Sequence, residues 1–396
     1  MNDRDDFLRL FQGDVISHRH FTVLRKGGHP FLYLPGDPLM ADATLRLYPA
    51  QRAFARSLVG LIRGFMRVGI PVSRRGVDFI IDESAGFPAF LKSLAPANKT
   101  VPDFGILANR FKDSGRPHVL LLFDADNRPA IVVKVGTSKE ARELIRVEQG
   151  LFFPETPHFP CLPEAIGRYE GEDVTAIAYR YVEGANPKPA QHGEIEELLN
   201  SWVREDESTL LGDLSPWARL EFLLQDNPGL ESILQTLQGC RIKPVLFHGD
   251  FAPWNVRVPS SEADSSWVVL DWEQGAHRGI PGWDWVHFVL QYNTLVRRLS
   301  PQATLSEIEA LWESPAFKAY AQRTGIGPII EELTFIFLFY FLLYNDPREN
   351  AVETREILRL FNAKYFPDII PSVPPLRIHE ILKPHFEKSI HYMNHG

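Results

Sequence analysis

The sequence predicts an α+β protein, with an antiparallel sheet first and a mostly helical region after it. Three observations predict it. Between residues 101 and 182 short apolar runs alternate with Asp, Gly and Pro turns, which is how hairpin-linked strands read. From about residue 191 the apolar positions recur at helical spacing. One strand-rich stretch, residues 244–284, interrupts those helices and concentrates the chain's polar chemistry. A chain of 396 residues exceeds what one core usually supports. By pattern it divides into an N-terminal extension, residues 1–100, a sheet region, 101–185, and a helical region, 186–396.

Composition removes several function classes. A net charge of −8 and a pI near 5.9 argue against nucleic acid as a partner. The two cysteines, Cys161 and Cys240, have neither metal-ligand spacing nor a disulfide framework. A reducing cytoplasm is therefore the expected compartment. TFIFLFYFLLY at 334–344 is very apolar but far shorter than the ~18 residues of a membrane span. The opening MNDRDDFLRLF lacks a signal-peptide pattern.

Residues 1–100 carry no chemical motif. FLYL at 31–34 reads as a short strand or turn. A helix is expected over about 49–68, because Pro49 suits a first helical turn. Phe54, Leu58, Leu61, Ile62, Phe65 and Val68 share an arc of about 120° on its wheel. Arg52, Arg56, Arg63 and Arg67 gather opposite, as a solvated face or an anion-binding stripe. The expectation is that the apolar side packs on neighbouring strands and leaves the arginines in water. VDFII at 77–81 reads as a strand, and 88–99 as a loop or short helix.

Strands are expected over 104–111, 118–123 and 129–135, the first two joined by the turn KDSGRP at 112–117. Lys134 lies in an otherwise apolar strand, so it needs a partner or an exposed side of the sheet. The helix over 138–153, with Ser138 as N-cap, offers a partner. Ala141, Leu144, Ile145 and Phe152 form its apolar face; Glu148 falls inside that face and Glu143 outside. A carboxylate aimed inward should be paired. Lys134 is the natural candidate, with Glu140 as the next carboxylate to consider. AIAYRYV at 176–182 is a further strand, running into EGANP at 183–187. Helices are expected over 192–205, 216–224, 229–239, 284–299, 303–323, 329–345 and 351–363, with a short one from Ile378.

In the stretch 244–284 two apolar runs, 244–247 and 267–270, flank a polar turn and read as a hairpin-type unit. The first run ends in His248-Gly249-Asp250, Asn255 follows five positions after that Asp, and the second run delivers Asp271. Such a unit would gather Asp250, Asn255 and Asp271 at one end of its strands. Phosphoryl transfer needs such groups, because it asks a protein for positioning and charge neutralisation. Protein kinases use H-R-D-x-x-x-x-N and then D-F-G. Here the string is H-G-D-x-x-x-x-N and then D-W-E. Gly249 replaces the arginine that reads activation-loop phosphorylation, which argues against a phospho-regulated protein kinase.

HGDFAPWN followed by LDWEQGAHRGIPGWDW resembles the aminoglycoside phosphotransferase and choline kinase superfamily. The resemblance covers roughly residues 105–345. It implies a bilobal, protein-kinase-like fold with an antiparallel-sheet N-lobe and a helical C-lobe, and phosphorylation of a small-molecule hydroxyl. Asp250 would be the catalytic base, Asn255 and Asp271 the magnesium ligands, and His248 and Asp284 the supports of the catalytic loop. Lys134, paired with Glu148, would hold the nucleotide phosphates. The KDSGRP turn, with Gly115 as its one glycine, would cover them, and the backbones of Arg180 and Val182 would meet the adenine. ATP is the implied donor, with GTP left open. Trp254, Trp272, Trp283 and Trp285 would suit a sugar face or a quaternary ammonium, or pack the core. Glu273 and His277 are further candidates to face the acceptor. Two rival readings remain at this stage. One is a nucleotide-binding pseudokinase or scaffold on the same fold. The other is a metal-dependent hydrolase using His248, Asp250 and Asp271, which lacks a second histidine at ligand spacing.

Overall fold

The computed structural model describes residues 16–26, 28–48, 60–64, 76–83, 86–95, 100–108, 115–153, 159, 161–224, 228–259, 267–344 and 347–369. The chain forms two compact units, Met1–Glu183 and Gly184–Gly396. It is α+β, with the antiparallel sheet in the first unit and the helices concentrated in the second.

Unit 1 runs β1 (Ile16–Lys26), β2 (His29–Pro35), α1 (Pro38–Leu45), β3 (Gly76–Asp82), α2 (Gly86–Ser93) and β4 (Phe104–Leu107). It continues through β5 (His118–Phe123), β6 (Pro129–Gly136), α3 (Lys139–Phe152), β7 (Ala165–Glu170) and β8 (Thr175–Arg180). All eight strands join one sheet in the order β3-β1-β2-β4-β5-β6-β8-β7, each pair antiparallel. The first hundred residues thus supply three strands of the sheet that carries Lys134.

The two-residue period of a strand sorts its side chains between faces. Leu120 and Leu122 of β5 join Phe21, Phe79, Phe104 and Val133 in the main core, under α2. Leu121 and Phe123 point the other way, to Met40 of α1. Farther along that strand order, Ile177 and Tyr179 of β8 pack with Ile145 of α3. Helix α1 lies very close to β4: a Cβ at Gly105 would stand 1.9 Å from Thr44 Oγ1.

Several local expectations change. Of the helix over 49–68 only residues 60–64 fall among the described residues, and they are helical. Arg63 is not left to water. Its Nε and Nη2 donate to Asp42 of α1 at 2.6 and 3.1 Å, and Arg46 donates to the same carboxylate at 3.0 Å. Burial pushes the Asp42 carboxyl up, but the two guanidiniums outweigh it and hold the group below its usual range. Leu61, expected on the apolar face, is exposed, whereas Ile62 packs with Ala41 and Leu45. Arg52, Arg56 and Arg67 lie outside the described residues.

Unit 2 begins with α4 (His192–Ser201), β9 (Thr209–Leu210), α5 (Ser215–Leu224), α6 (Glu231–Gln238) and β10 (Arg241–Ile242). Four short strands follow: β11 (Val245–Phe247), β12 (Val256–Arg257), β13 (Val268–Val269) and β14 (Ala276–Gly279). Then come α7 (Trp283–Gln291), a π-helical turn (Tyr292–Arg297), α8 (Pro301–Glu313), α9 (Pro315–Thr324), α10 (Ile330–Tyr344) and α11 (Pro347–Tyr365). The hairpin reading of 244–270 is corrected by the pairing. β11 pairs with β14, and β12 pairs with β13. The helix expected over 303–323 is two helices, because Pro315 pushes Ser314 to ψ 141°, where its hydroxyl caps Phe317 of α9. The tail helix from Ile378 lies outside the described residues.

Helix α10 is apolar on all sides because it is enclosed: Leu333 and every residue from Phe335 to Leu342 are buried. Among the described residues no single helix is long and apolar enough to cross a membrane; only a pair bent by 101° passes on length and composition.

Deleting residues 1–100 would strip Phe21, Phe79 and Ile81 from the main core and leave β4 as a bare edge. The truncated chain is expected to lose cooperative unfolding or to aggregate. A truncated chain melting at the parental temperature would refute the single-sheet account.

Candidate active site

The structure brings two sets of sequence-predicted residues together, one in each unit. In unit 1, Lys134 extends from β6 and Glu148 from the buried face of α3. The ammonium donates to both carboxylate oxygens, at 2.9 and 3.0 Å. Glu148 is 1% and Lys134 11% exposed, so this pair is largely out of water. Ser138 caps α3 by accepting from the Ala141 N–H at 3.1 Å, and that start sets the phase that points Glu148 at the sheet. Leu151, rather than Phe152, completes the buried face. Glu140 sits in the first turn, where a Cβ on Gly115 would meet its Cβ at 3.3 Å. Residues 111–114, the first part of the KDSGRP turn included, lie outside the described residues. The Arg180 N–H donates to the Glu164 carbonyl at 2.9 Å, and its guanidinium pairs with the Glu164 carboxylate. Val182 is half-buried just beyond β8.

In unit 2 the polar residues of the motif are tied into one network. Asp284, in the first turn of α7, accepts from the His248 N–H at 2.7 Å and the Gly249 N–H at 2.9 Å. The fold at that point needs glycine twice over. Gly249 has φ +82°, and a Cβ there would lie 2.8 Å from the Gln274 Cβ. The His248 ring is fully buried; its Nε2 donates to the Leu270 carbonyl at 2.8 Å and its Nδ1 accepts from the Asp250 N–H at 3.1 Å. Burial lowers its pKa to about 4, so the imidazole is neutral, in agreement with one nitrogen donating and the other accepting.

Asn255 is buried and donates from Nδ2 to the Asp250 carbonyl at 2.8 Å, with Asp250 Oδ2 at 3.5 Å. Its own carbonyl accepts from the Leu270 N–H at 2.7 Å, which brings the residue before Asp271 beside it. Asp271 has φ +71°, a backbone conformation a non-glycine residue takes only under local constraint. The Asp250 side chain stays 31% exposed, so its carboxylate is reachable. Of the four tryptophans, Trp272, Trp283 and Trp285 are buried in the core, and Trp254 is half-buried. Glu273 and His277 are both half-buried.

One residue of the site was missed in the sequence. His287 is 1% exposed and lies one helical turn after Asp284, with Nε2 3.3 Å from Asp250 Oδ1. The available signal was a histidine at i+3 from the anchoring aspartate on an otherwise apolar helix face.

No family model matches the chain, and no curated protein matches it. Solved structures similar to it include a thermostable mutant of the aminoglycoside phosphotransferase APH(4)-Ia in its apo form. That match has 13% identity, covers 69% of this chain and 98% of the other, and has a TM-score of 0.43. A putative fructosamine-3-kinase from Haemophilus somnus 129PT matches at 12% identity, over 70% and 96% of the two chains, with a TM-score of 0.39. An aminoglycoside-3'-phosphotransferase of type VIII matches at 17% identity, over 59% and 96%, with a TM-score of 0.33. At such identities and scores the similarity carries no chemistry across.

Removing one partner of a buried ion pair strands the other charge, a loss of about 3–5 kcal/mol. Lys134→Met and Glu148→Gln are each expected to lower stability, and the double variant to lose much less than the sum, with a coupling of about 1–3 kcal/mol. Urea unfolding of the four chains reads this, and strict additivity would contradict it.

Acid stability tests the Asp284 clamp. Burial raises the Asp284 pKa to about 6, above the ordinary aspartate value of 3.8, so the folded chain takes up that proton first and acidification through this window favours the fold. His248 acts oppositely: its folded pKa of about 4 lies below the ordinary histidine value of 6.5, so stability is lost as pH falls between them. The two largely offset one another between these limits. Asp284→Asn removes one and leaves the other, so its denaturation midpoint should fall more steeply from pH 6 to pH 4 than the parent's. Parallel slopes would overturn the assignment.

Proposed function

We propose that the protein is an ATP- and magnesium-dependent phosphotransferase that moves the γ-phosphate to a hydroxyl of a small molecule. The acceptor would be aminoglycoside-, sugar- or amino-alcohol-like. The observation that carries this reading is the constrained Asp250. Its N–H is held by His248, its carbonyl by Asn255, and its carboxylate stays open to solvent. A reachable carboxylate whose backbone is fixed on both sides is what a positioned general base requires.

In this reading Asp250 takes the proton of the acceptor hydroxyl as its oxygen attacks the γ-phosphorus and the bond to the β-phosphate oxygen breaks, releasing ADP. Lys134, steadied by Glu148, holds the nucleotide phosphates. The Asn255 and Asp271 side-chain oxygens would hold magnesium. The donor set fits: Asn255 spends Nδ2 on the Asp250 carbonyl, which turns its Oδ1 away as an acceptor. Among the described residues no three His, Cys, Asp or Glu side chains converge as a metal cage. Magnesium suits such a site, since it is usually bound by one or two carboxylates with phosphates and waters completing the shell. When bound, it would neutralise charge on the phosphates. Residence in a reducing cytoplasm accords with two free cysteines.

Asp250→Asn should lower phosphoryl transfer by about 10²–10⁴-fold while nucleotide affinity stays near the parent's. Asn255→Ala and Asp271→Ala should instead raise the magnesium concentration needed for half-maximal turnover. The assay is ADP release with a panel of aminoglycosides, sugars and amino alcohols. Turnover within a few-fold of the parent in Asp250→Asn would refute Asp250 as base. Nucleotide binding without any turnover in the parent would indicate a scaffold instead.

A further inference from the structure

The phosphotransferase reading uses Asp250 but does not say what fixes the orientation of its carboxylate. The loop bonds around Asp250 act mainly on its backbone: His248 takes its N–H, and Asn255 donates to its carbonyl. Among the described residues the side-chain oxygens are approached by Asn255 Nδ2, at 3.5 Å from Oδ2, and by His287 Nε2, at 3.3 Å from Oδ1. The first is at the outer limit of a hydrogen bond.

His287 occupies a core position. Its neighbours Val286 and Phe288 are buried, and its ring meets Phe341 edge-on at 5.2 Å and Phe337 at 6.0 Å. An apolar side chain would satisfy those contacts. A buried imidazole nitrogen without a partner is unfavourable. Among the described residues Nε2 has no well-aligned hydrogen bond, so Asp250 Oδ1 is the group within its reach. Two bare acceptors would repel at that distance, so Nε2 carries the proton and its N–H dipole faces the carboxylate as a close polar contact rather than an aligned hydrogen bond.

We propose that His287 is a positioning residue for Asp250, fixing the carboxylate through Nε2–H so that Oδ2 is the oxygen that receives the acceptor's proton. Helix α7 then orients the loop twice, through Asp284 on its backbone and through His287 on its reacting side chain. A carboxylate free to rotate would present the wrong lone pair for part of the time, and misplacement by about 1 Å can cost about 10²-fold in rate.

This inference rests on the phosphotransferase reading, so its test has one arm that needs turnover and one that does not. In the full-length chain, His287→Phe keeps a buried ring and removes the N–H, whereas His287→Gln restores an amide donor. The Phe variant should lose about 10- to 100-fold in kcat with KM for ATP within about twofold, and the Gln variant should recover to within a few-fold of the parent. Equal losses in both variants, or no loss in the Phe variant, would overturn the proposal. The second arm follows the His287 ring by ¹H–¹⁵N NMR in the parent and in Asp250→Ala. A protonated Nε2 whose resonance shifts when the carboxylate is removed supports the contact, and an unmoved resonance refutes it, whether or not the chain turns over ATP. Failure of the phosphotransferase reading shows separately, as a parent chain that binds nucleotide without any turnover.

Discussion

A carboxylate buried at the start of α7 accepts two backbone N–H groups from the loop His248–Gly249, and the rest of the site inherits its geometry from that clamp. Burying a carboxylate is unfavourable unless donors surround it, and here the donors are main-chain amides that have no helix or ladder partner of their own. The two needs are met by one contact. Gly249 can turn toward Asp284 because it takes φ +82° without a Cβ. The turn aims the His248 ring at the Leu270 carbonyl and the Asp250 N–H, and Asn255 closes the loop onto the Asp250 carbonyl. Helix α7 is itself anchored, since the Gly282 N–H before it donates to the buried Tyr320 hydroxyl of α9. The loop is thereby referred to the helical core rather than to solvent.

The parts of this arrangement that were legible in the sequence are those whose physics is local. Ser138 caps α3 because a hydroxyl three residues before an orphan amide can accept from it, and that fixes the wheel on which Glu148 faces inward. Once Glu148 faces inward and Lys134 sits in an apolar strand, each charge needs the other. The spacing from His248 to Asn255 and the later Asp284 read as one loop because each residue type has a distinct hydrogen-bonding task there.

What escaped depends on partners far away in the chain. Strand β1, ISHRHFTVLRK, carries five basic or titratable side chains, and its apolar residues only make sense against Phe79 and Phe104. β7 hides for a related reason: none of its residues is fully buried, so its alternation is faint. The pairing of β11 with β14 could not be read from two apolar runs flanking a turn, because sequence proximity favours the nearer partner and tertiary packing chose the farther one. Arg63 looked like a solvated residue on a basic stripe, yet the buried Asp42 of α1 needed a counter-charge.

The same reasoning explains why α10 is so apolar. Helix α10 supplies Phe337 and Tyr340 to the Trp283 ring, at 5.7 and 5.3 Å, and Phe337 and Phe341 to His287. The Trp283 indole N–H also donates to the Leu333 carbonyl at 3.2 Å. Trp283 and His287 flank Asp284 on α7, so this aromatic wall fixes the helix on which the clamp sits. Close-packed interiors transmit displacement, because a side chain cannot move without a neighbour giving way. Packing at α10 and the geometry of the Asp250 loop are therefore one mechanical system, and a histidine lodged in the apolar run WDWVHFVL is where the core touches the Asp250 carboxylate.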